Sequence, residues 1–296
     1  MKVCGQDIRI GGKLIRIAGL SADTYEFVDD PEAALDDLRH SDQRIDLFTF
    51  MQKLPETSRK YSYLMELDNL AVLPVSTFDQ WWTKQINDKT RNMARRAGKK
   101  GVLIREVPLD DAFVEGVWAI YNECPIRQGK RFPHYGKDLL TVRKMMTTFL
   151  DRSVFMGAYL DNHMIGFARL HCDETRTQAG VSSILSLVQH RDKAPTNSLI
   201  AEAVRFCATQ GIAYLVYSRY SDGNKERDSL MDFKDHNGFQ RVNVPRYYIP
   251  LTKLGRIALM LGLHKRILDH IPDPVLSRLR LIRKAWYSRK VQSITE

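Results

Sequence analysis

No run of apolar residues in this 296-residue chain approaches the roughly 18 that a membrane-spanning helix needs. The opening, MKVCGQDIRIGGKLIRI, lacks the apolar core of a secretory leader, so none is expected. Cysteine is scarce. Cys4, Cys124, Cys172 and Cys207 are far apart and form no CxxC pair. That spacing argues against a zinc site and against a disulfide framework, and it points to a reducing cytoplasm and to no metal cofactor. Cys124, beside Pro125, reads as a buried structural thiol before it reads as a nucleophile.

Acidic residues are scarce in one region. From 253 to 296 there are ten Lys and Arg against three Asp and Glu, which accounts for seven of the ten net positive charges. The tail, rather than the whole chain, is expected to seek an anionic partner. Its two helical patterns are separated by Pro272 and Pro274. Leu254, Ile257, Ala258, Leu261, Ile267, Leu268 and Ile271 are read as the apolar side of the first, and Leu276, Leu279, Ile282 and Trp286 as that of the second. Packing on the body is expected, with peripheral contact to a membrane surface in addition.

Hydrophobic content of 44% and charged content of 27% are ordinary for a globular chain, and the length suits about two domains. KLIRIAGL alternates like a strand, and DDPEAALDDLRH opens with acid and proline as helices do. DLFTFMQKL reads as a buried strand. YSYLMELDNLAVLPVS suggests a hairpin turning at Asp68-Asn69. TFDQWWTKQINDKTRNMARRAGKKG reads as one long helix ending before Gly101. After it come a strand (VLIREVP), two helices joined by the polar loop PIRQGKRFPHYGKD, a hairpin around DNH, and a strand through AGVSSILSLVQH. A helix, the strand IAYLVYSRY, the short helix RDSLMDFKDHNG and a final extended segment follow. Asn237 and Gly238 stop the short helix, and Pro245 is expected to break the last segment.

That order, with RNMARRAGKKGV (91–102), MGAYLDNHMIGFARL (156–170) and SLMDFKDHNGF (229–239), resembles the GNAT acyltransferase superfamily and, more narrowly, its Fem-type (FemAB-like) branch. The resemblance covers about 100–250, where the order of these moderately specific motifs carries it, and rests only on alternation before that. It implies an α/β (α+β) fold: a GNAT-like mixed sheet flanked by helices, in two GNAT-like halves, plus C-terminal helices. Residues 1–100 would be a degenerate half, 101–251 the catalytic domain and 252–296 a basic helical tail.

Acetyl-CoA users of that superfamily carry a glycine-rich loop where this chain reads HRDKAPTNSLIAEAV, which has no glycine. The helix start is still there, so Thr196, Asn197 and Ser198, with Arg191 and Lys193, are the expected ligands of a carrier phosphate. Asn197 or Ser198 is also the expected cap of that helix. Fem-type members lack the glycines too, and there the resemblance implies aminoacyl-tRNA in place of acyl-CoA.

Acyl transfer needs a base, donors for the developing oxyanion, and an acid for the leaving group. An unperturbed histidine titrates at about 6.5, which suits general base work, so His190, at the end of LSLVQH, is the candidate base, with Asp192 to orient or replace it. Tyr217 is the candidate acid, with Tyr220 beside it. Lys234 corresponds to an FK step of Fem-type enzymes, which implies substrate contact, although a lysine near a helix end is favourable in any protein. The loop places Arg127, Gln128, Lys130, Arg131, His134, Tyr135 and Lys137 together, a suitable lining for a phosphorylated or carboxylated acceptor, and Lys225 and Arg227 add charge nearby. Its alternative is a solvated charged loop.

Three functions follow. One is acyl transfer from acyl-CoA to an amine or hydroxyl of a cell-surface sugar or peptidyl precursor, which is preferred because no long coiled-coil arm is visible. The second is aminoacyl-tRNA-dependent transfer, with the tail and RNMARRAGKK holding tRNA. The third is a binding module without catalysis. The acceptor would be a small molecule or a lipid-linked sugar or peptide. The sequence leaves the oligomeric state open.

Overall fold

A computed structural model describes residues 1–22, 25–127, 129–221 and 227–265. The strands are β1 (Lys2–Val3), β2 (Gln6–Gly11), β3 (Ile17–Leu20), β4 (Leu47–Met51), β5 (Leu64–Pro74), β6 (Leu103–Val107), β7 (Ile126–Arg127), β8 (Lys130–Arg131), β9 (Ser153–Leu160), β10 (His163–Cys172), β11 (Gln178–Ser186), β12 (Tyr214–Arg219) and β13 (Gln240–Pro250). The helices are α1 (Pro31–Arg39), α2 (Phe78–Gln80), α3 (Asp88–Lys99), α4 (Asp111–Asn122), α5 (Leu139–Met146), α6 (Pro195–Gln210), α7 (Ser229–His236) and α8 (Lys253–Met260).

Eleven strands form one mixed sheet in the order β1-β2-β3-β4-β13-β5-β12-β11-β10-β9-β6, and β7 and β8 form a separate small hairpin. Neighbours are antiparallel except for β3 with β4 and β11 with β12. The mixed sheet flanked by helices is the architecture the sequence implied. β5 comes from the first hundred residues but lies between β12 and β13, so the sheet is continuous across that boundary.

Side chains alternate across a strand, and the core follows that alternation. Phe155 and Phe167 join Phe113, Val117, Ile120, Val142 and Met146 beneath α4 and α5. Their neighbours Met156 and Ala168 face the other way, with Leu199, Ile200, Val204 and Cys207 of α6. Leu35 and Leu38 of α1 cover Phe48, Phe50, Tyr247 and Ile249. The start of α1 is closed by its own carboxylate: Asp30 accepts from the Glu32 and Ala33 backbone N–H groups. Truncating a core aromatic such as Phe167 to Ala is expected to cost about 3–5 kcal/mol.

Three readings of the sequence are corrected. Asp68-Asn69 is not a turn, because β5 runs straight through it and pairs Asp68 with Val244 and Asn69 with Asn243. Both polar side chains find partners in the sheet: Asp68 bonds Arg219 and Arg246, and Asn69 accepts from the Ser221 N–H. The long helix at 78–100 is interrupted. A π turn (Trp81–Gln85) and an extended Ile86 precede Asn87, which caps α3 by accepting from Thr90 N at 2.9 Å. Arg91 then takes the carbonyls of Trp82 and Ile86, both at 2.7 Å. Finally, Pro245 does not break β13. Its carbonyl accepts from Gln52 N at 2.9 Å, so its missing N–H points to the same side, just past the end of β4.

The hairpin expected at DNH forms between β9 and β10, with Asp161 and Asn162 both at positive φ (48° and 64°) as a two-residue hairpin turn requires. Gly238 follows α7 at φ 87°, where an added Cβ would lie 3.2 Å from the Gln85 carbonyl.

Candidate functional site

The parallel pair β11 and β12 opens the sheet. Pairing covers only Gln178–Tyr214, Ala179–Leu215 and Gly180–Val216. Just beyond, the register with β10 slips: Leu170 faces Val181 but Arg169 faces Ser183, which makes Ser182 an extra residue. The bulge turns β11 away from β12. Among the described residues, its β12-facing backbone groups from 181 to 186 then have no strand partner, and that edge offers N–H donors.

At the end of β11 the chain makes a tight 3₁₀ turn, Val188–Lys193, which leads into α6. The turn is held by a pair the sequence reading did not single out. Glu123 accepts from Val188 N at 2.7 Å and Gln189 N at 3.1 Å. Arg127 donates to the Ser186 carbonyl at 2.8 Å, the Ile120 carbonyl at 2.7 Å and Glu123 at 3.0 Å, and its guanidinium lies 4.9 Å from the Phe132 ring centroid. Arg127 is therefore buried and turned inward. This removes it from the acceptor lining and makes it a brace between α4 and β11. The i,i+4 spacing of Glu123 and Arg127 was the available signal.

The turn carries three of the predicted residues. His190 Nδ1 lies 3.1 Å from Lys193 Nζ, which also lies 3.5 Å from Asp192. The lysine is the donor here, so the Nδ1 lone pair is taken and the ring proton sits on Nε2. Asp192 turns instead to Lys100 of α3, at 2.7 Å, and that hydrogen bond, reinforced by the charges of Lys100 and Lys193, holds its carboxyl below the usual range. Among the described residues no hydrogen bond links Asp192 to His190 directly. Arg191 is exposed.

α6 starts without a side-chain cap. Its Ncap is Ala194 in the left-handed region (φ 54°), followed by Pro195. The expected capping by Asn197 or Ser198 is not found: the Ser198 hydroxyl donates to the Ala94 carbonyl at 3.0 Å and packs α6 against α3. Thr196 and Asn197 are half-buried at the helix start. An uncapped N-terminus beside Lys193 and the α3 cations Arg96 and Lys100 suits an anion.

On α7, Lys234 is only 2% exposed, so it is not a surface lysine. Its ammonium donates to the Arg219 carbonyl at the end of β12 and lies 4.9 Å from the Tyr217 ring centroid. Burial pushes the Tyr217 phenol up to about 12, so it remains a proton donor across the physiological range. Asp68 joins this end to the rest of the sheet, at 3.0 Å from Arg219 and 2.5 Å from Arg246. Neither Asp68 nor Arg246 was legible as a partner, because the three residues come from strands remote in sequence. Tyr220 bonds Asp235, and Arg227 bonds Asp232 and Asp235, so these two brace α7.

The predicted acceptor loop is partly structural. His134 stacks on Tyr121 (centroids 4.5 Å apart, 17° between planes) and meets Phe132 edge-on. Burial, then the Lys137 charge, depresses its pKa and keeps the ring neutral. The Lys137 carbonyl accepts from Trp118 Nε1 at 3.0 Å and Asn122 Nδ2 at 3.2 Å. Lys130, Arg131 and Tyr135 are exposed and available. Gln128, Lys225 and residues 266–296 lie outside the described residues. Among the described residues, no group of three or more His, Cys, Asp and Glu is placed to hold a metal ion, and no helix is long and apolar enough to cross a membrane.

No protein-family model matches the sequence, and no curated protein matches it in sequence. The fold has solved counterparts. It is similar to FemX at 10% identity, covering 86% of this chain and 86% of that one, with a TM-score of 0.63. L-PGS from Bacillus licheniformis gives 13% identity, 86% and 84% coverage and a TM-score of 0.55. A C-terminal DUF2156 domain from Agrobacterium fabrum gives 14%, 86% and 83%, and 0.54. At such identities the likeness is one of fold. The mixed α/β fold implied by the sequence is the fold this chain shares with FemX and L-PGS.

Proposed function

We propose that the chain is an acyltransferase that holds the anionic carrier of its donor at the start of α6 and threads the acyl group between β11 and β12. The observation that carries this reading is the coincidence of three features around the second half of β11: an uncapped helix start, a bulge that parts two parallel strands, and a cationic surround of Lys193, Arg96 and Lys100. A solvated surface loop needs none of these together.

The acceptor nitrogen or oxygen attacks the donor carbonyl, the bond to the carrier's sulfur or oxygen breaks, and the acceptor's proton must leave. The freed β11 N–H groups stabilise the charge that develops on the carbonyl oxygen. Lys234 and Tyr217 hold the β12 wall, with the phenol as proton donor to the leaving group. His190 becomes a base only when Lys193 leaves Nδ1. A carrier phosphate that draws Lys193 away would supply that condition, coupling donor binding to base activation.

The donor read here is acyl-CoA, and the acceptor an amine or hydroxyl of a cell-surface sugar or peptidyl precursor. Arg131, Tyr135 and Lys130 are the exposed residues on the loop that would meet it. A second reading, an aminoacyl-tRNA donor, is supported by α3. Lys89, Arg95, Arg96, Lys99 and Lys100 extend the cationic surface well beyond what a pyrophosphate requires. A thermal-shift panel of acetyl-CoA, longer acyl-CoAs, bulk tRNA and nucleotide sugars separates the readings. Stabilisation by CoA thioesters supports the first reading and stabilisation by tRNA the second. Stabilisation by a nucleotide sugar alone would leave a binding module.

A further inference from the structure

The last helix among the described residues, α8, presents its apolar side outward. The sequence pattern grouped Leu254, Ile257, Ala258 and Leu261 on one buried face, but only Ala258 is buried. Gly255 is the other inward residue, and an added Cβ there would lie 2.0 Å from the Asp46 carbonyl. Small residues thus set the close approach to the body. Leu254, Ile257, Met260, Leu261 and Leu263 are left 40%, 51%, 86%, 63% and 53% exposed.

Both ends of the element are fixed, so this orientation is built in. Thr252 accepts from Gly255 N at 3.0 Å and donates to Asp46 at 2.8 Å. Past the helix, Glu66 lies 3.1 Å from both His264 and Lys265, and the His264 ring is 4.7 Å from that of Tyr248.

Charge selects among the occupants of such a face. Residues 251–265 contain no Asp or Glu. Lys253 and Arg256 are exposed, with no carboxylate in salt-bridge range among the described residues. Residues 266–296 bring seven Lys and Arg against three Asp and Glu, and a second copy would bring the same cations, so either occupant adds like charge. An anionic bilayer offers both an apolar medium and opposite charge.

We propose that α8 seats the protein on an anionic lipid surface, with these five side chains entering the interface and Lys253 and Arg256 at the headgroups. The inference goes beyond the transferase reading and is independent of the donor.

Flotation of the full chain with phosphatidylcholine vesicles, with and without phosphatidylglycerol, tests it. Partitioning is expected to be at least about tenfold stronger onto the anionic vesicles and to fall with added salt. A Leu254→Ser, Ile257→Ser, Met260→Ser variant should lose about tenfold or more with its melting temperature unchanged, since it replaces exposed atoms. Lys253→Glu with Arg256→Glu should lose a similar factor without touching the apolar face. Failure of the native chain to float, or equal flotation of the serine variant, overturns the proposal. So does a dimer, seen by light scattering, that the serine variant abolishes.

Discussion

Glu123 at the end of α4 accepts a hydrogen bond from the backbone N–H of Val188 at 2.7 Å, fixing the turn that carries His190 and Lys193. The same carboxylate neutralises the buried Arg127, so one side chain links a helix, a hairpin and the mouth of the opening. Glu123→Ala removes two backbone bonds and strands a guanidinium. It should cost about 2–4 kcal/mol by chemical denaturation. Glu123→Gln, which keeps an acceptor, should cost less than half as much. Equal losses would deny the charge a role.

The tautomer of His190 is a direct readout of the Lys193 contact. Long-range ¹H–¹⁵N spectra of the ligand-free protein should show the proton on Nε2. Lys193→Ala should release Nδ1 and mix the two forms. A dominant Nδ1–H form in the native chain would remove the proposed link between carrier binding and base activation.

Buried His171 gives a pH signature. Desolvation, then the Arg169 charge, pushes it down to about 3, and its ring stacks on Tyr25 with centroids 4.5 Å apart. A group whose folded pKa is depressed from 6.5 leaves the unfolded chain holding the extra proton, so stability falls as pH drops from about 6.5 toward about 3. Moving from about pH 7 to about pH 5 should cost about 2 kcal/mol through this ring alone. Nearby Glu26, raised by burial despite Arg152, works in the opposite direction. The test is therefore the difference between the native chain and His171→Phe in urea titrations at both pH values. The same pH dependence in both would place the acid sensitivity elsewhere.

Lys234→Met keeps the volume and removes the ammonium. Loss of its bond to the Arg219 carbonyl should cost about 1–2 kcal/mol, while carrier-induced stabilisation disappears if the ammonium serves the donor. Undiminished stabilisation by the donor would confine Lys234 to bracing β12. Asp68→Asn tests the next link. It removes the carboxylate charge that Arg219 and the buried Arg246 share and should cost about 2–3 kcal/mol.

The sequence revealed elements whose signals are local. The acid-and-proline start of α1, the DNH hairpin and the Asn237-Gly238 stop need only their neighbours, and each appears where it was read. Readings that depended on distant partners failed. Asp68-Asn69 looks like a turn until β12 and β13 supply its hydrogen bonds. Arg127 looks like a loop cation until Ser186 and Ile120 supply carbonyls. The apolar row of α8 was visible, but its direction was not, because Gly255 and the Asp46 carbonyl set it. Of the candidate site, His190, Lys193 and the α6 start lie together because they are contiguous in the chain. Sequence reasoning missed Glu123, whose role depends on a turn 65 residues away.

The central claim is that the start of α6 holds an anionic acyl carrier. Isothermal titration of acetyl-CoA and of bulk tRNA into the native chain and a Lys193→Glu, Arg96→Glu variant tests it most directly. The account predicts saturable binding of one of the two, weakened about tenfold or more in the variant with the fold intact. Absence of binding by either, or equal affinity in both proteins, would contradict it.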